Sequence, residues 1–457
     1  MTRPRVVVIG GGITGLACAY RLRDAAEVTV LESSPRVGGN LVTVARDGFI
    51  LDGGPDSWVA AKPHASALCN ALGLGDELIG TRPETRRVYV AYNGALFPLP
   101  EGLVLGIPTR FGPMVSTRLF SPLAKLRMGL EPMVAVKLGD DDESVWDFIV
   151  RRLGVAAAER LAGPLLGGIF AGDPKALSVR AAFPQLVEME RKYGSLILAM
   201  RASRKAAAAS GGKSAFVTLR GGIATLPEAL AQALGDRIKT RSPVAAVELD
   251  GGWKVRLTSG ERIAADHVVL AAPQRSLPGL VRGLDEELAR LVEGIRIGSS
   301  ATAFVAYRRE QVAHALDAVG FIVPRAENTR VIAATWVSSK WPHRAPEGSV
   351  LLRAFFGGIG NEGVLQSSDD ALVSAAREEL PGFMGPIHGD PLFSQVFRWT
   401  KASPQPEVGH LARMREIHAR IAAHPGLHLA GNGYDGSGIP DCIKQGEAVA
   451  GRIAAGG

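Results

Sequence analysis

The sequence predicts a fold of mixed class, α/β plus α+β, made of a discontinuous Rossmann-like dinucleotide-binding domain, a substrate-binding domain and a helical domain. Three observations predict it. The N-terminal stretch runs strand, glycine turn, helix, strand in the order of a βαβ unit; strand-like segments between residues 244 and 271 return toward that unit; and a second glycine-rich turn opens a helix near the C-terminus.

Val6-Val7-Val8-Ile9 is a continuous β-branched run of the kind that fills a parallel strand buried on both faces. It stops at Gly10-Gly11-Gly12, after which Ile13, Leu16, Ala17 and Tyr20 recur at helical spacing and Val28 to Leu31 form a second strand. Gly10, Gly12 and Gly15 take the G-x-G-x-x-G positions: the first makes the turn, the second lets a pyrophosphate approach the backbone, the third lets helix pack on strand. Free N–H groups at the helix start face the phosphates. Glu32 ends the second strand, where a carboxylate accepts hydrogen bonds from ribose hydroxyls.

The residues after the acid separate FAD from NAD. Glu32-Ser33-Ser34-Pro35-Arg36-Val37-Gly38-Gly39 looks like the extended FAD motif, with an arginine and paired glycines that let the chain pass close to the flavin-side phosphate; a simple turn after a strand is the bland alternative. Near the other end Leu427 to Ala430 reads as a strand, Gly431-Asn432-Gly433 and Gly436-Ser437-Gly438 as a flexible loop, and Pro440-Asp441 as a helix start. That helix carries Gly446, Val449, Ala450 and Ile453 on one face, and its positive end beside the flavin ring favours the anionic reduced form.

With 457 residues the chain exceeds one ordinary core. Val244 to Val247, Trp253 to Leu257 and Val268 to Ala271 read as a β-meander that returns to the main sheet. The expected division is 1–80, 212–295 and 415–457 for the FAD-binding domain, 81–95 and 296–414 for the substrate-binding domain, and 96–211 for the helical domain. Leu, Val and Ala at helical spacing from about Ser121 to Arg204 form the last of these, and Arg201 to Ser214 is the one stretch expected to lack order.

Composition limits the partners. A formal charge of +7 is spread without basic blocks or interleaved aromatics, which argues against nucleic acid and for an acidic small molecule. Three cysteines without a CxxC pair, and no histidine cluster at ligand spacing, argue against disulfides and metal and fit a reducing cytoplasm. Val6 to Ile9 is too short before its glycines for a signal peptide or a span, and no other apolar run crosses a bilayer.

Further motifs carry a resemblance. Gly53-Gly54-Pro55-Asp56-Ser57, Gly168-Ile169-Phe170-Ala171-Gly172-Asp173 with Leu177-Ser178, Arg191 to Leu198, Leu219-Arg220-Gly221-Gly222 and Asp441-Cys442-Ile443 together resemble the protoporphyrinogen and coproporphyrinogen oxidases, within the amine oxidase and phytoene desaturase group of flavoproteins. The likeness covers nearly the whole chain. It implies oxidation of a porphyrinogen to a porphyrin in haem biosynthesis, six electrons in two-electron steps, with non-covalent FAD as hydride acceptor and oxygen or another acceptor reoxidising it.

Carried over by motif, the FAD contacts are Gly10, Gly11, Gly12, Ile13, Thr14, Gly15, Glu32, Ser33, Arg36, Gly39, Asn40, Gly54, Pro55, Asp56, Ser57, Val244 by its backbone, Trp399, Gly431, Gly438, Ile439 and Pro440. For substrate, Arg87 matches an arginine that pairs with a propionate, and Gly168, Trp341 and Phe355 fall in the segments that clamp the macrocycle. Arg87 reads equally as a solvated strand-edge arginine, and the other three as core. No general base stands out.

Pro98 to Gly102 and Leu105 to Thr109 look like the coproporphyrinogen III branch, whereas Pro406 and Pro440 stand where the family often has tyrosine and asparagine, so the choice between the two porphyrinogens stays open. In relatives the helical region covers the active site and touches the membrane; here a lid is preferred, with peripheral contact on the inner face as the other reading of a cytoplasmic protein. The quaternary state is monomer or homodimer. Competing readings on the same fold are an amine oxidase, a carotenoid desaturase, or a prenyl-protein escort that has lost flavin chemistry.

Overall fold

A computed structural model describes the chain except residues 1–2, 101–102, 105, 109, 208–213 and 457. The stretches Pro98–Gly102, Leu105–Thr109 and Arg201–Ser214 singled out above therefore lie in part outside the described residues.

The first layer is a five-stranded parallel sheet in the order Ile238–Lys239, Glu27–Leu31, Arg5–Ile9, His267–Leu270, Leu427–Leu429. Its strands come from three widely separated sections of chain. Arg5–Ile9 is central, and its β-branched run feeds two cores at once. Val6 and Val8 pack with the helix Ile13–Leu22, while Val7 and Ile9 face the cluster containing Trp253, Val255 and Leu288. The C-terminal helix Ile439–Ala454 lies on the N-terminal helix, burying Ile443, Val449, Ala450 and Ile453 on the face the spacing indicates.

The meander differs from the expectation in its third strand. Val244–Leu249 and Trp253–Leu257 pair antiparallel as read, but the third member is Arg262–Ala265, and His267–Leu270 belongs to the parallel sheet. Arg262–Ala265 alternates exposed and covered positions at a sheet edge and so lacks the continuous apolar run by which a buried strand is recognised.

The second layer is a seven-stranded, largely antiparallel sheet in the order Phe393–Pro404, Ile297–Arg308, Ser349–Gly357, Ala333–Trp336, Gly320–Ile322, Tyr89–Tyr92, Ala95–Pro98. One face, with Tyr307, Phe321, Trp336, Leu352 and Phe356, is covered by the helix Asp369–Met384. The opposite face carries Phe304, Leu351 and Phe397 against Phe49 and Leu51, and farther along Val90 and Ile322 against the helical unit.

The helical unit includes Pro122–Gly129, Val145–Leu153, Gly163–Phe170, Pro184–Tyr193 and Leu196–Ala207. At its centre Arg152 and Glu131 are fully buried and paired; Arg152 also donates to Glu190 and to the carbonyls of Val134 and Gly194. Glu131 accepts from Ser195 Oγ and from the Leu196 and Ile197 N–H groups at the start of Leu196–Ala207. The Arg191 to Leu198 motif thus joins two helices: Gly194 ends one in a left-handed turn and Ser195 opens the next.

Candidate cofactor and substrate site

The turn between Ile9 and Ile13 is built to approach a ligand. A Cβ on Gly15 would meet the Gly10 carbonyl oxygen at 2.1 Å, so the helix seats directly on the turn, whereas the space around Gly12 is open on the side a Cβ would occupy. Gly38 crosses this turn, donating its N–H to the Gly11 carbonyl at 2.8 Å, which brings Gly39 beside Gly12. Arg36 folds onto the same crossing and donates to the Val37 and Gly39 carbonyls at 3.0 and 2.8 Å.

Glu32 accepts from the Gly11 N–H at 2.8 Å and from the Ser34 N–H at 2.7 Å, with Ser33 Oγ at 3.3 Å. A carboxylate has about four acceptor positions, so these contacts aim it and leave capacity for ribose hydroxyls. The Ser242 N–H donates to the Glu32 carbonyl and the Arg241 N–H to the Ser34 carbonyl, placing Val244 just beyond the same end of the cleft. A dinucleotide fits this cradle: open glycine backbone at a helix N-terminus, then an aimed acid.

From the other chain end, Gly431 to Gly438 form the loop ahead of the C-terminal helix. The Gly431 N–H donates to Gln445 Oε1 at 3.0 Å, Asp441 caps the helix through the Gly438 N–H at 3.2 Å, and Lys62 Nζ lies 2.6 Å from Asp441. Ile439 and Pro440 begin the helix, both buried.

Gly54 to Ser57 pass between the two sheets. Pro55 is exposed and Gly54 buried; Asp56 accepts from Lys340 Nζ at 2.7 Å, Trp341 Nε1 at 3.0 Å and Ser57 Oγ at 2.8 Å. Burial alone would raise the Asp56 carboxyl, but Lys340 and Arg353 outweigh it and hold the group far below the usual carboxylate range. Trp399 Nε1 donates to the Gly53 carbonyl at 3.0 Å, which sets that indole over Gly54. Asn40 is exposed at the rim.

The four residues expected at the substrate divide. Gly168 borders open space on the helical side, and Phe355 is half-buried on the sheet face that carries Arg353. Trp341 is fully buried in the cluster of Phe49, Leu51 and Phe304, and its Nε1 donates to Asp56. Arg87 lies 3.7 Å from Asp317, which also accepts from Tyr89 Oη, and Tyr89 packs on Trp336 on the sheet face covered by Asp369–Met384. Two-residue strand periodicity sends Arg87 to that face, away from Phe355 and Ile322.

Sequence reasoning missed Arg353, Lys340 and Arg344. Arg344 is buried and holds Asp52 at 3.0 Å together with the carbonyls of Leu219 and Arg220, which accounts for the Leu219 to Gly222 motif. The Gly168 to Asp173 motif is likewise an anchor. Gln405 donates to the Phe170 carbonyl at 2.9 Å, the Ile359 N–H donates to the Ala171 carbonyl at 2.9 Å, and Ala171 holds φ at +47° to receive it. A signal existed for Arg353 alone, one charge inside the apolar run Val350 to Phe356.

A family profile described as flavin containing amine oxidoreductase matches residues 13–454, from the phosphate-binding helix to the C-terminal helix. The chain belongs to that family. Proteins similar to it include the coproporphyrinogen III oxidase of Bacillus subtilis (strain 168), 36% identical with 98% of this chain and 97% of that one covered. The coproporphyrinogen III oxidase of Staphylococcus aureus is 32% identical, covering 98% and 99%, and the chloroplastic protoporphyrinogen oxidase 1 of Arabidopsis thaliana 29%, covering 96% and 86%. Among solved structures, one from Exiguobacterium sp. 255-15, provisionally named a protoporphyrinogen oxidase, superposes with a TM-score of 0.89 at 32% identity over the whole of both chains. Putrescine oxidase, at 18% identity and a TM-score of 0.71, shares the fold. The cofactor of this flavin containing oxidoreductase is FAD, in keeping with the cradle.

Proposed function

We propose that the protein oxidises a porphyrinogen to the porphyrin in haem biosynthesis, with coproporphyrinogen III as its preferred substrate. The observation that carries this is likeness along the full length of both chains to enzymes named coproporphyrinogen III oxidase, at 32% and 36% identity, against 29% for the plant protoporphyrinogen oxidase. When bound, FAD supplies the hydride acceptor, and three two-electron steps with oxygen as final acceptor yield one porphyrin and three hydrogen peroxides.

The chain's own residues position and exclude water. Glu32 would hold the ribose of FAD and the turn Gly10 to Gly15 its pyrophosphate, and the N-terminus of Ile439–Ala454 would lend positive potential to the bound group. Phe355 and Ile322 share one face of the seven-stranded sheet, and Gly168 borders open space on the helical unit. Removing hydride from a meso carbon asks chiefly for orientation, which a flat apolar face provides.

Porphyrin fluorescence is the direct test: purified FAD-loaded enzyme is given coproporphyrinogen III or protoporphyrinogen IX under oxygen, corrected for spontaneous oxidation. A kcat/KM higher for coproporphyrinogen III by tenfold or more supports the assignment; the reverse ratio names the other branch, and no turnover of either rejects the reaction.

A second reading concerns the outer face of the helical unit, where Leu123, Leu126 and Met133 are 79%, 61% and 81% exposed and Arg118, a few positions earlier in the chain, is exposed too. Such apolar exposure with a cation near it in the chain suits an anionic membrane surface. No helix among the described residues is long and apolar enough to cross a membrane, so contact would be peripheral. Co-flotation with phosphatidylglycerol vesicles, lost in Leu123→Ser/Leu126→Ser, supports it; no flotation of the parent leaves the face a lid.

A further inference from the structure

We propose that Arg353 is a positioning residue of the cofactor site that holds the Gly53–Gly54 peptides in register and, with Lys340, places excess positive charge behind the flavin ring, making its reduction easier. This rests on the reading that the ring lies over the Gly54 to Ser57 loop.

The geometry is specific. Arg353 is 5% exposed, and its Nη2 donates to the Gly53 and Gly54 carbonyls at 2.9 and 2.8 Å. The guanidinium lies 4.6 Å from the Phe355 ring centroid and 5.3 Å from that of Phe304. Trp399 Nε1 and Thr302 Oγ1 also donate to the Gly53 carbonyl, at 3.0 and 3.3 Å. Three donors thus turn that oxygen toward the seven-stranded sheet. In a trans peptide the N–H points opposite to the C=O, so the Gly54 N–H is turned the other way, away from that sheet. Arg353 selects the direction in which the loop offers its donor.

The charge count gives the second part. Arg353 has no carboxylate within ion-pair distance among the described residues, and its Nε is buried without a partner. The charged groups around it are Lys340 and Asp56, in contact at 2.7 Å, and Arg344 and Asp52, at 3.0 Å. Three cations face two carboxylates, one positive charge in excess. In a poorly polarisable interior such a charge acts across several ångströms with little screening, and it favours the anionic reduced ring over the neutral oxidised one.

The experiment measures the flavin midpoint potential of the holoenzyme by dye equilibration, with FAD retention and the visible spectrum read alongside. Wild type is expected to lie above free FAD. Arg353→Met should make two-electron reduction at least tenfold less favourable, about 30 mV, and loosen FAD; Arg353→Lys should keep most of the potential while still loosening FAD. Asp56→Asn, which removes a negative charge at constant shape, should move the potential the opposite way. An Arg353→Met potential equal to wild type, or an Asp56→Asn shift in the same direction as Arg353→Met, overturns the inference. Should Arg353→Met not fold, Asp56→Asn and the wild-type potential carry the decision, and a wild-type potential below free FAD overturns it. No porphyrinogen is needed, so an enzyme with the expected potentials but no porphyrinogen turnover loses the proposed reaction and keeps this role for Arg353.

Discussion

Gly446 of the C-terminal helix stands against Thr14 of the N-terminal helix so closely that a Cβ there would meet the Thr14 carbonyl oxygen at 2.4 Å and the Cys18 nitrogen at 3.2 Å. The two helices whose N-termini frame the cofactor cleft therefore meet backbone to backbone. Gly446→Val should separate them, lowering stability by about 1–3 kcal/mol through overpacking and weakening FAD by roughly tenfold, or about 1.4 kcal/mol. Thermal unfolding of the apoprotein and FAD titration by fluorescence quenching check both, and a variant that retains FAD like wild type contradicts the framing.

The histidines His267 and His428 face each other across neighbouring strands, Nδ1 to Nε2 at 3.2 Å. Burial, then His267 and Arg452, push His428 down to about 4, and burial lowers His267 too. The unfolded chain protonates these rings near pH 6.5 while the folded one refuses the proton, so stability present above pH 6.5 is lost as pH falls toward 4. For His428 the loss is up to about 3 kcal/mol. Melting curves from pH 7 to 4 should show the decline, reduced in His428→Gln; parallel curves for the two proteins would refute it.

In the helical unit, Glu131→Gln leaves Arg152 buried without a carboxylate on that side. Removing the charge of one partner of a buried pair costs about 3–5 kcal/mol, and here the start of Leu196–Ala207 also keeps only one of the two oxygens that accept from its N–H groups. Denaturant unfolding should show a loss of that size; one below about 1 kcal/mol would mean that Glu190 takes over.

Arg87→Ala is expected to leave KM for the porphyrinogen within twofold of wild type, because its guanidinium belongs to the Asp317–Tyr89 group on the far sheet face. Gly168→Leu, filling the space that is open at that residue, should raise KM by tenfold or more. Steady-state kinetics on the pair separates the two, and the opposite ranking restores Arg87 to the site.

What could be read before the structure followed the strength of local pattern. The βαβ unit, the Gly431 to Gly438 turn and the final helix announce themselves through β-branched runs, glycines and helical spacing, all short-range signals. The strand Arg262–Ala265 does not, since a partly exposed strand has no apolar run. The charged groups around Asp56 escaped for another reason. Asp56 lies 284 positions from Lys340 and Gly53 lies 300 from Arg353, and no periodicity along the chain reports a contact made across two domains. The sheet face on which Arg87 falls was not legible either, because it depends on strand register, which an isolated motif does not contain.

The parallel sheet has an implication for how the protein is made. Its outer strand, Leu427–Leu429, and the helix that presses on Ile13–Leu22 leave the ribosome long after that first helix does. Throughout synthesis the glycine turn is already present while the apolar surfaces of Leu16, Ala17 and Val269 await their cover. Domains tend to fold in the order they emerge, but here an early motif waits for a distant one. Cofactor capture then waits for the helix Ile439–Ala454 to emerge, and its loss through a premature stop would leave a chain that neither closes its first core nor keeps its colour.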